Sequence, residues 1–192
     1  MNAESRSPAD KVTFRDASKR DIEAIAALHA DSWRRHYRGA YSDEFLDGDI
    51  FADRRAVWTD RLARPELPAN QCTILAECDG VLAGFAHTLL DEDPRWGALL
   101  DNLHVRHDSK GRGIGTRLMA ETARAVIDRT PGSGLYLWVL ERNEAAQSFY
   151  AVRGGTCAGR EVSQAPGGGP VVGLRYVWPD PSVLIGTQVT AR

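Results

Sequence analysis

The stretch Leu99–Arg117, LLDNLHVRHDSKGRGIGTR, constrains the fold more than any other part of the chain. It reads as a buried strand that breaks into a glycine-rich turn and then opens a helix. Gly111, Gly113 and Gly115 stand at alternate positions, which lets the backbone approach a ligand where a Cβ would block it. The helix that follows the loop leaves its first amides without intrahelical acceptors, and such amides favour an anion. Lys110 and Arg112 add mobile positive charge, so the segment is predicted to cradle a phosphate.

Two common phosphate loops do not fit. The nucleotide-triphosphate loop ends in Gly-Lys-Ser/Thr, whereas Gly115 is followed by Thr116 and Arg117. The dinucleotide fingerprint aligned on Gly111 and Gly113 requires a third glycine where Thr116 stands. A tight turn with no ligand is the plain alternative, and a second segment argues against it.

That second segment is Leu135–Gly155, LYLWVLERNEAAQSFYAVRGG. Leu135 to Leu140 is a continuous apolar run suited to a strand covered on both faces. Asn143 is a good helix N-cap with Glu144 in the first turn, and Gly154 and Gly155 stop the helix. Asn143 and Tyr150 are spaced to lie two turns apart on one helix face, so an amide and a phenol can line the same groove.

Together the two segments resemble the GNAT superfamily of acyl-CoA-dependent N-acetyltransferases. The family's cofactor motif, Gln/Arg-x-x-Gly-x-Gly/Ala, is matched by Lys110-Gly111-Arg112-Gly113-Ile114-Gly115, with lysine keeping the charge of the first position. Its later motif is matched by Asn143, Ala146, Phe149, Tyr150 and Gly154. The likeness spans Val12 to Trp178. It implies an α/β fold with a mixed, mostly antiparallel sheet, one splayed parallel strand pair and about four flanking helices. It also implies acetyl-CoA as co-substrate and no metal. The resemblance implies that Leu103 and Val105 pair with the pantetheine arm through their backbone, that Gly111, Arg112, Gly113, Ile114 and Gly115 hold the pyrophosphate, and that His104, Lys110, Thr116, Asn143 and Ser148 also bind the coenzyme.

For chemistry, an amine must attack a thioester, which calls for a proton donor to the departing thiol and a route for the amine's proton. Tyr150, with an ordinary pKa of ~10, is the candidate donor. Asp101 is the candidate base, since simple alternation puts it on one strand face with Leu99, Leu103 and Val105; Glu141 and a water chain are alternatives. His104 falls on the opposite parity, which suits packing better than base chemistry. Trp33 and Tyr37, in the run Trp-Arg-Arg-His-Tyr-Arg-Gly-Ala-Tyr, are candidates for the acceptor wall through cation–π attraction. The acceptor expected is a primary amine of a small molecule. A peptide N-terminus is a second option, and a non-catalytic acyl-CoA sensor is a third.

The remaining elements frame this core. A strand near Val12–Arg15 precedes Ser18-x-x-Asp21, a capping signature. Ile22, Ile25, Ala26, His29 and Trp33 then mark one helix face. A looser helical pattern follows Ser42, Pro65 and Pro68 mark a loop, and Cys72 to Leu90 reads as a hairpin turning at Asp79-Gly80. Ile114, Leu118, Thr122, Ala125 and Val126 form a helix stripe after the glycine loop, and Ser163–Pro170 is a loop between two late strands. The predicted order is strand, two helices, three strands, helix, strand, helix and two strands. A single domain is expected over residues 10–179, with flexible ends at 1–9 and 180–192.

With 192 residues and 43% hydrophobic content the chain can bury one sizeable core. A net charge of −2 and no basic cluster longer than two residues argue against nucleic acid. No run approaches the ~20 apolar residues that span a bilayer. Cys72, Cys78 and Cys157 are odd in number and lack metal-ligand spacing, which suggests reduced thiols. A cytoplasmic enzyme, dimeric by family resemblance, is the resulting expectation.

Overall fold

The computed structural model describes residues 11–64 and 68–186. The expected flexible ends at 1–9 and beyond 186, and the predicted loop residue Pro65, lie outside the described residues.

Among the described residues seven strands form one sheet. In chain order the elements are β1 (Val12–Asp16), α1 (Ile22–His36), α2 (Asp43–Asp47), α3 (Ile50–Leu62), β2 (Gln71–Cys78), β3 (Val81–Asp93), β4 (Gly97–Val105), α4 (Ile114–Arg129), β5 (Leu135–Leu140), α5 (Glu144–Ala151), β6 (Thr156–Gln164) and β7 (Pro170–Trp178). The strand order is β1-β2-β3-β4-β5-β7-β6, antiparallel throughout except for β4 and β5. The β2–β3 connection is the tight turn that Asp79-Gly80 predicts. Both residues have positive φ, 51° and 80°, the backbone a primed hairpin turn demands.

The described helices number five rather than about four. The pattern after Ser42 contains two helices, because Gly48 adopts an extended backbone (ψ −163°) that no α-helix can carry. Each short helix then has its own cap. Ser42 accepts from the Phe45 amide at 3.2 Å, and Asp49 accepts from the Ala52 amide at 3.0 Å.

Side-chain periodicity sorts the core into two layers. On one face of the sheet α1 and α3 bury Ile25, Ala26 and Trp58 against Leu75 and Phe85. On the other, the α4 stripe of Ile114, Leu118, Met119 and Val126 packs on Ala76, Leu100 and Leu137. Leu118 and Met119 are fully buried, and such a side chain contributes roughly 1.5–3 kcal/mol by leaving water. Helix α4 is thereby fixed with its N-terminus at the end of β4, so the glycine loop has a rigid base.

Before α1, the Asp21 carboxylate accepts from the Ser18 amide at 2.8 Å and hydroxyl at 2.9 Å, and it pairs with Arg15. Arg15 also reaches Glu77 at 2.6 Å, tying β1 to β2. At the other end the packed chain runs past Pro179. Pro181–Leu184 forms a 3-10 turn whose Leu184 is buried in the α4 layer, because an apolar side chain near the sheet is worth burying. Among the described residues no helix is long and apolar enough to cross a membrane.

Candidate active site

The site begins with what the sheet leaves unpaired. Strands β4 and β5 are joined only at Ala98–Leu135 and Leu99–Tyr136. Beyond those rungs both strands continue, β4 to Val105 and β5 to Leu140, without pairing to each other. Their diverging edges open a cleft of about 570 Å³ whose walls include Leu103, Val105, Leu137 and Val139. Unpaired strand edges present N–H and C=O groups to whatever enters.

At the mouth of the cleft lies the glycine loop. Gly111 and Gly113 both have φ of 76°, and Gly113 is the N-cap of α4 in the left-handed region that favours glycine. A Cβ built on either glycine would meet nothing within 4 Å, so the loop is open on the side where a ligand approaches. The first intrahelical bond here runs from the Arg117 amide to the Gly113 carbonyl at 3.1 Å. The amides of Ile114, Gly115 and Thr116 therefore precede any helical acceptor. Open glycine backbone, helix-start amides and Lys110 at the rim fit the pyrophosphate of coenzyme A. The unpaired strand edges fit the amides of its pantetheine arm.

The opposite wall is α5. The Asn143 side chain caps it by accepting from the Ala146 amide at 3.2 Å, and one face presents Asn143, Ala146, Phe149 and Tyr150 to the cleft. Tyr150 packs its ring near Phe149, Tyr176 and Trp178 at 5.3, 6.0 and 6.1 Å between centroids. Burial pushes its phenol up to about 12, so it keeps its proton at neutral pH.

The profile of the acetyltransferase (GNAT) family matches residues 24–154. The chain belongs to the GNAT acetyltransferase family. It is similar to the uncharacterised N-acetyltransferase YuaI of Bacillus subtilis, 26% identical over 73% of this chain and 78% of that one. A probable N-acetyltransferase of Mycobacterium tuberculosis is 26% identical over 85% of this chain and 92% of that one. In fold it resembles the PaiA N-acetyltransferase of Thermoplasma acidophilum in complex with coenzyme A. There the TM-score is 0.66 and the identity 20%, over 88% of this chain and 99% of that one. The protein is thus an acyltransferase with acetyl-CoA as co-substrate, acting on amine-containing acceptors.

Within this GNAT fold the parity reading of β4 needs correction. Registers His87–Asn102 and Thr88–Leu100 leave Asp101 without a partner on β3, so Asp101 is the extra residue of a β-bulge. The bulge resets alternation: Leu100, Leu103 and Val105 all pack in the α4 layer. Asn102 and His104, paired with His87 and Phe85, face the α1 layer instead. Asp101 does not share a face with Leu103 and Val105. It stands exposed at the bulge, in the cleft lining, with its carboxylate 2.8 Å from Arg61 and accepting from the Asn102 amide group.

His104 is packed. Its Nδ1 is 2.8 Å from Ser32 Oγ, its ring sits 4.6 Å from that of His29, and burial first, then His36 and Lys110, hold it down to about 3. It is neutral at any working pH. Tyr37 lines the cleft and is half-buried, with its phenol pushed up first by desolvation and then by Tyr41, Tyr150 and Asp101. Trp33 lies outside the cleft lining. It packs on Tyr37 and Tyr41 with the Arg54 guanidinium 4.0 Å above its ring. Arg112 and Ser148 are exposed and also outside the lining, and Glu141 is exposed in a pair with Arg160 at 2.8 Å.

Several groups at the cleft carry no mark in the sequence. Arg153 donates to Thr116 Oγ1 at 3.0 Å and to the Phe149 carbonyl at 2.6 Å, with its guanidinium 3.5 Å over the Phe149 ring. That clamp ties α5 to the first turn of α4. Trp138 adds an aromatic wall from β5, and His36 comes from the last turn of α1. The only sequence hint for these is their place beside the motifs.

Proposed function

We propose that this GNAT enzyme moves the acetyl group of acetyl-CoA to a primary amine of a small molecule by direct attack in a ternary complex. One observation carries the reading: the splayed β4–β5 pair joins the glycine loop, Asp101 and the protonated phenol of Tyr150 in a single cleft.

Acetyl-CoA supplies an acetyl group activated as a thioester. The chain's own residues supply position and protons. The amides of residues 113–116, with Lys110, hold the phosphates, while the strand edges at Leu103 to Val105 align the arm. Asp101 attracts the acceptor's ammonium through its carboxylate and takes up a proton from it at Oδ. Tyr150 Oη donates its proton to the sulfur as the bond to carbon breaks; the second proton that the nitrogen sheds as the amide forms passes through solvent to the phenolate, and Asp101 gives its own proton up to solvent on product release. Tyr37 and Trp138 wall the acceptor side with aromatic surface, which favours a cationic amine. Glu141, outside the lining and paired with Arg160, is the weaker candidate for the base.

Cys72, Cys78 and Cys157 are all free thiols, which supports a reducing compartment and so the cytoplasm. The single domain over residues 10–179 is extended by this reading to Leu184, and a homodimer follows from the family resemblance.

The test is release of free coenzyme A from acetyl-CoA across a panel of small primary amines and of peptides with free N-termini, alongside calorimetric binding of coenzyme A. Turnover with small amines supports the reading. Turnover confined to peptides replaces it with an N-terminal acetyltransferase, and tight binding with no turnover on any amine points to an acyl-CoA sensor.

A further inference from the structure

At the rim of the cleft, His36 Nε2 stands 2.7 Å from Lys110 Nζ. A lysine ammonium has three donors and no lone pair, so it donates and Nε2 accepts. The remaining ring proton is then on Nδ1 and the imidazole is neutral. Both side chains are open to solvent, and both line the cleft together with Gly111 and Gly113. A cation held by a neutral imidazole, beside open glycine backbone, is an arrangement that an anion would complete.

The surroundings of His36 keep it neutral. Partial desolvation acts first, then the charges of Lys110, His107 and Arg35, with Asp31 opposing them. His104, which also faces it, is itself neutral. An arriving phosphate reverses this balance, because a negative charge beside an imidazole favours the imidazolium.

We propose that His36 is a phosphate ligand that becomes charged on binding: Lys110 turns from the imidazole to the pyrophosphate of the coenzyme, and the freed Nε2 takes one proton from solvent and donates it to the same anion. The inference rests on the reading of the glycine loop as the phosphate cradle. No other bond changes, and the proton returns to solvent when the coenzyme leaves. A ring that serves only to pack the end of α1 would exchange no proton with a ligand.

The consequence is a pH-dependent affinity. The free site holds His36 below its ordinary range and the bound site raises it, so binding strengthens as pH falls across that interval.

The test uses dephospho-coenzyme A, since its pyrophosphate diester does not titrate near neutrality whereas the 3′-phosphate of coenzyme A does. Calorimetry in buffers of different ionisation enthalpy counts the protons taken up. Wild type should take up as much as about one proton per ligand near neutral pH, and bind roughly threefold to tenfold tighter at about pH 6 than at about pH 8. His36→Gln should bind without uptake and lose the pH dependence. His36→Arg, with a fixed charge, should bind without uptake and at nearly constant affinity. As a check that needs no variant affinity, the His36 Cε1–H resonance should titrate at higher pH with ligand than without. Equal uptake by wild type and His36→Gln overturns the proposal, as does ligand binding by wild type with no uptake. Failure of wild type to bind the ligand at all overturns the phosphate cradle itself, and the two failures are told apart by whether binding heat is present.

Discussion

The Arg61 guanidinium on α3 meets the Asp101 carboxylate at 2.8 Å, which ties the helical layer to the bulge of β4. The guanidinium also lies 5.1 Å from the centroid of the buried Trp58 ring, so its position is set by the core as well as by the carboxylate. Asp101 is therefore aimed rather than free to sweep the cleft. Asp101→Asn should keep coenzyme binding and lower kcat/KM for the acceptor by about 10²-fold, the usual scale for a positioned base. Arg61→Gln should raise the acceptor KM more than it lowers kcat. Unchanged steady-state kinetics in Asp101→Asn would remove this carboxylate from the reaction.

Tyr150→Phe keeps the ring and its packing while deleting the proton donor. Coenzyme affinity by calorimetry should stay within about twofold, and kcat should fall roughly 10²-fold. Burial holds the phenol at about 12, so wild-type Tyr150 remains an acid over the whole assay range. Any alkaline limb below about pH 10 then belongs to another group. Turnover by the phenylalanine variant at the wild-type rate would rule Tyr150 out as the acid.

Substitutions at Gly113 separate strain from ligand exclusion. Its φ of 76° disfavours any side chain, at about 1–2 kcal/mol, although a methyl there would touch nothing in the protein. Gly113→Ala should lower stability in urea by about that amount and weaken coenzyme binding. Gly113→Asp, which also sets a negative charge against the phosphates, should weaken binding much further at similar stability. Wild-type affinity in the aspartate variant would refute the cradle.

Acid stability should depend on Asp21. Its hydrogen bond to Arg15 comes first among the causes that lower it to about 2 from an ordinary value near 3.8. The folded value lies below the unfolded one, so the stabilisation is full above about pH 4 and is lost as pH falls from there through about pH 2. It is worth on the order of 1–2 kcal/mol. Asp21→Asn should lower the Tm near neutral pH and flatten the acid limb over that window. An acid limb identical to wild type would show that the pair contributes nothing.

Local rules read well where one element decides the outcome. The glycine loop, the Asn143 cap and the Asp79-Gly80 turn are visible because each depends on backbone demands that a few residues satisfy. Of the helix stripe Ile114, Leu118, Thr122, Ala125 and Val126, all are buried as the spacing predicts except Ala125, which is partly buried. What escapes is set by partners distant in sequence. The bulge at Asp101 arises in the register between β3 and β4, so alternation along one strand cannot reveal it, and it alters which face each later residue occupies. Arg153 and His36 reach the cleft, and Arg61 reaches Asp101 at its edge, only through the packing of α5, α1 and α3. The split between α2 and α3 at Gly48 was readable in principle, since glycine ends helices, but the apolar residues on either side continue a similar spacing.

Two backbone rungs alone pair the strands β1 to β4 with the strands β5 to β7, and the α4 layer packs across that seam. The sheet is thus a pair of leaves sharing a short spine, with α4 laid across it. A guest whose amides bridged the gap would lengthen that spine and change how the leaves flex. Affinity for the coenzyme and rigidity of the empty protein are then two readings of one seam, and a residue that stiffens the spine tunes recognition without ever touching the guest.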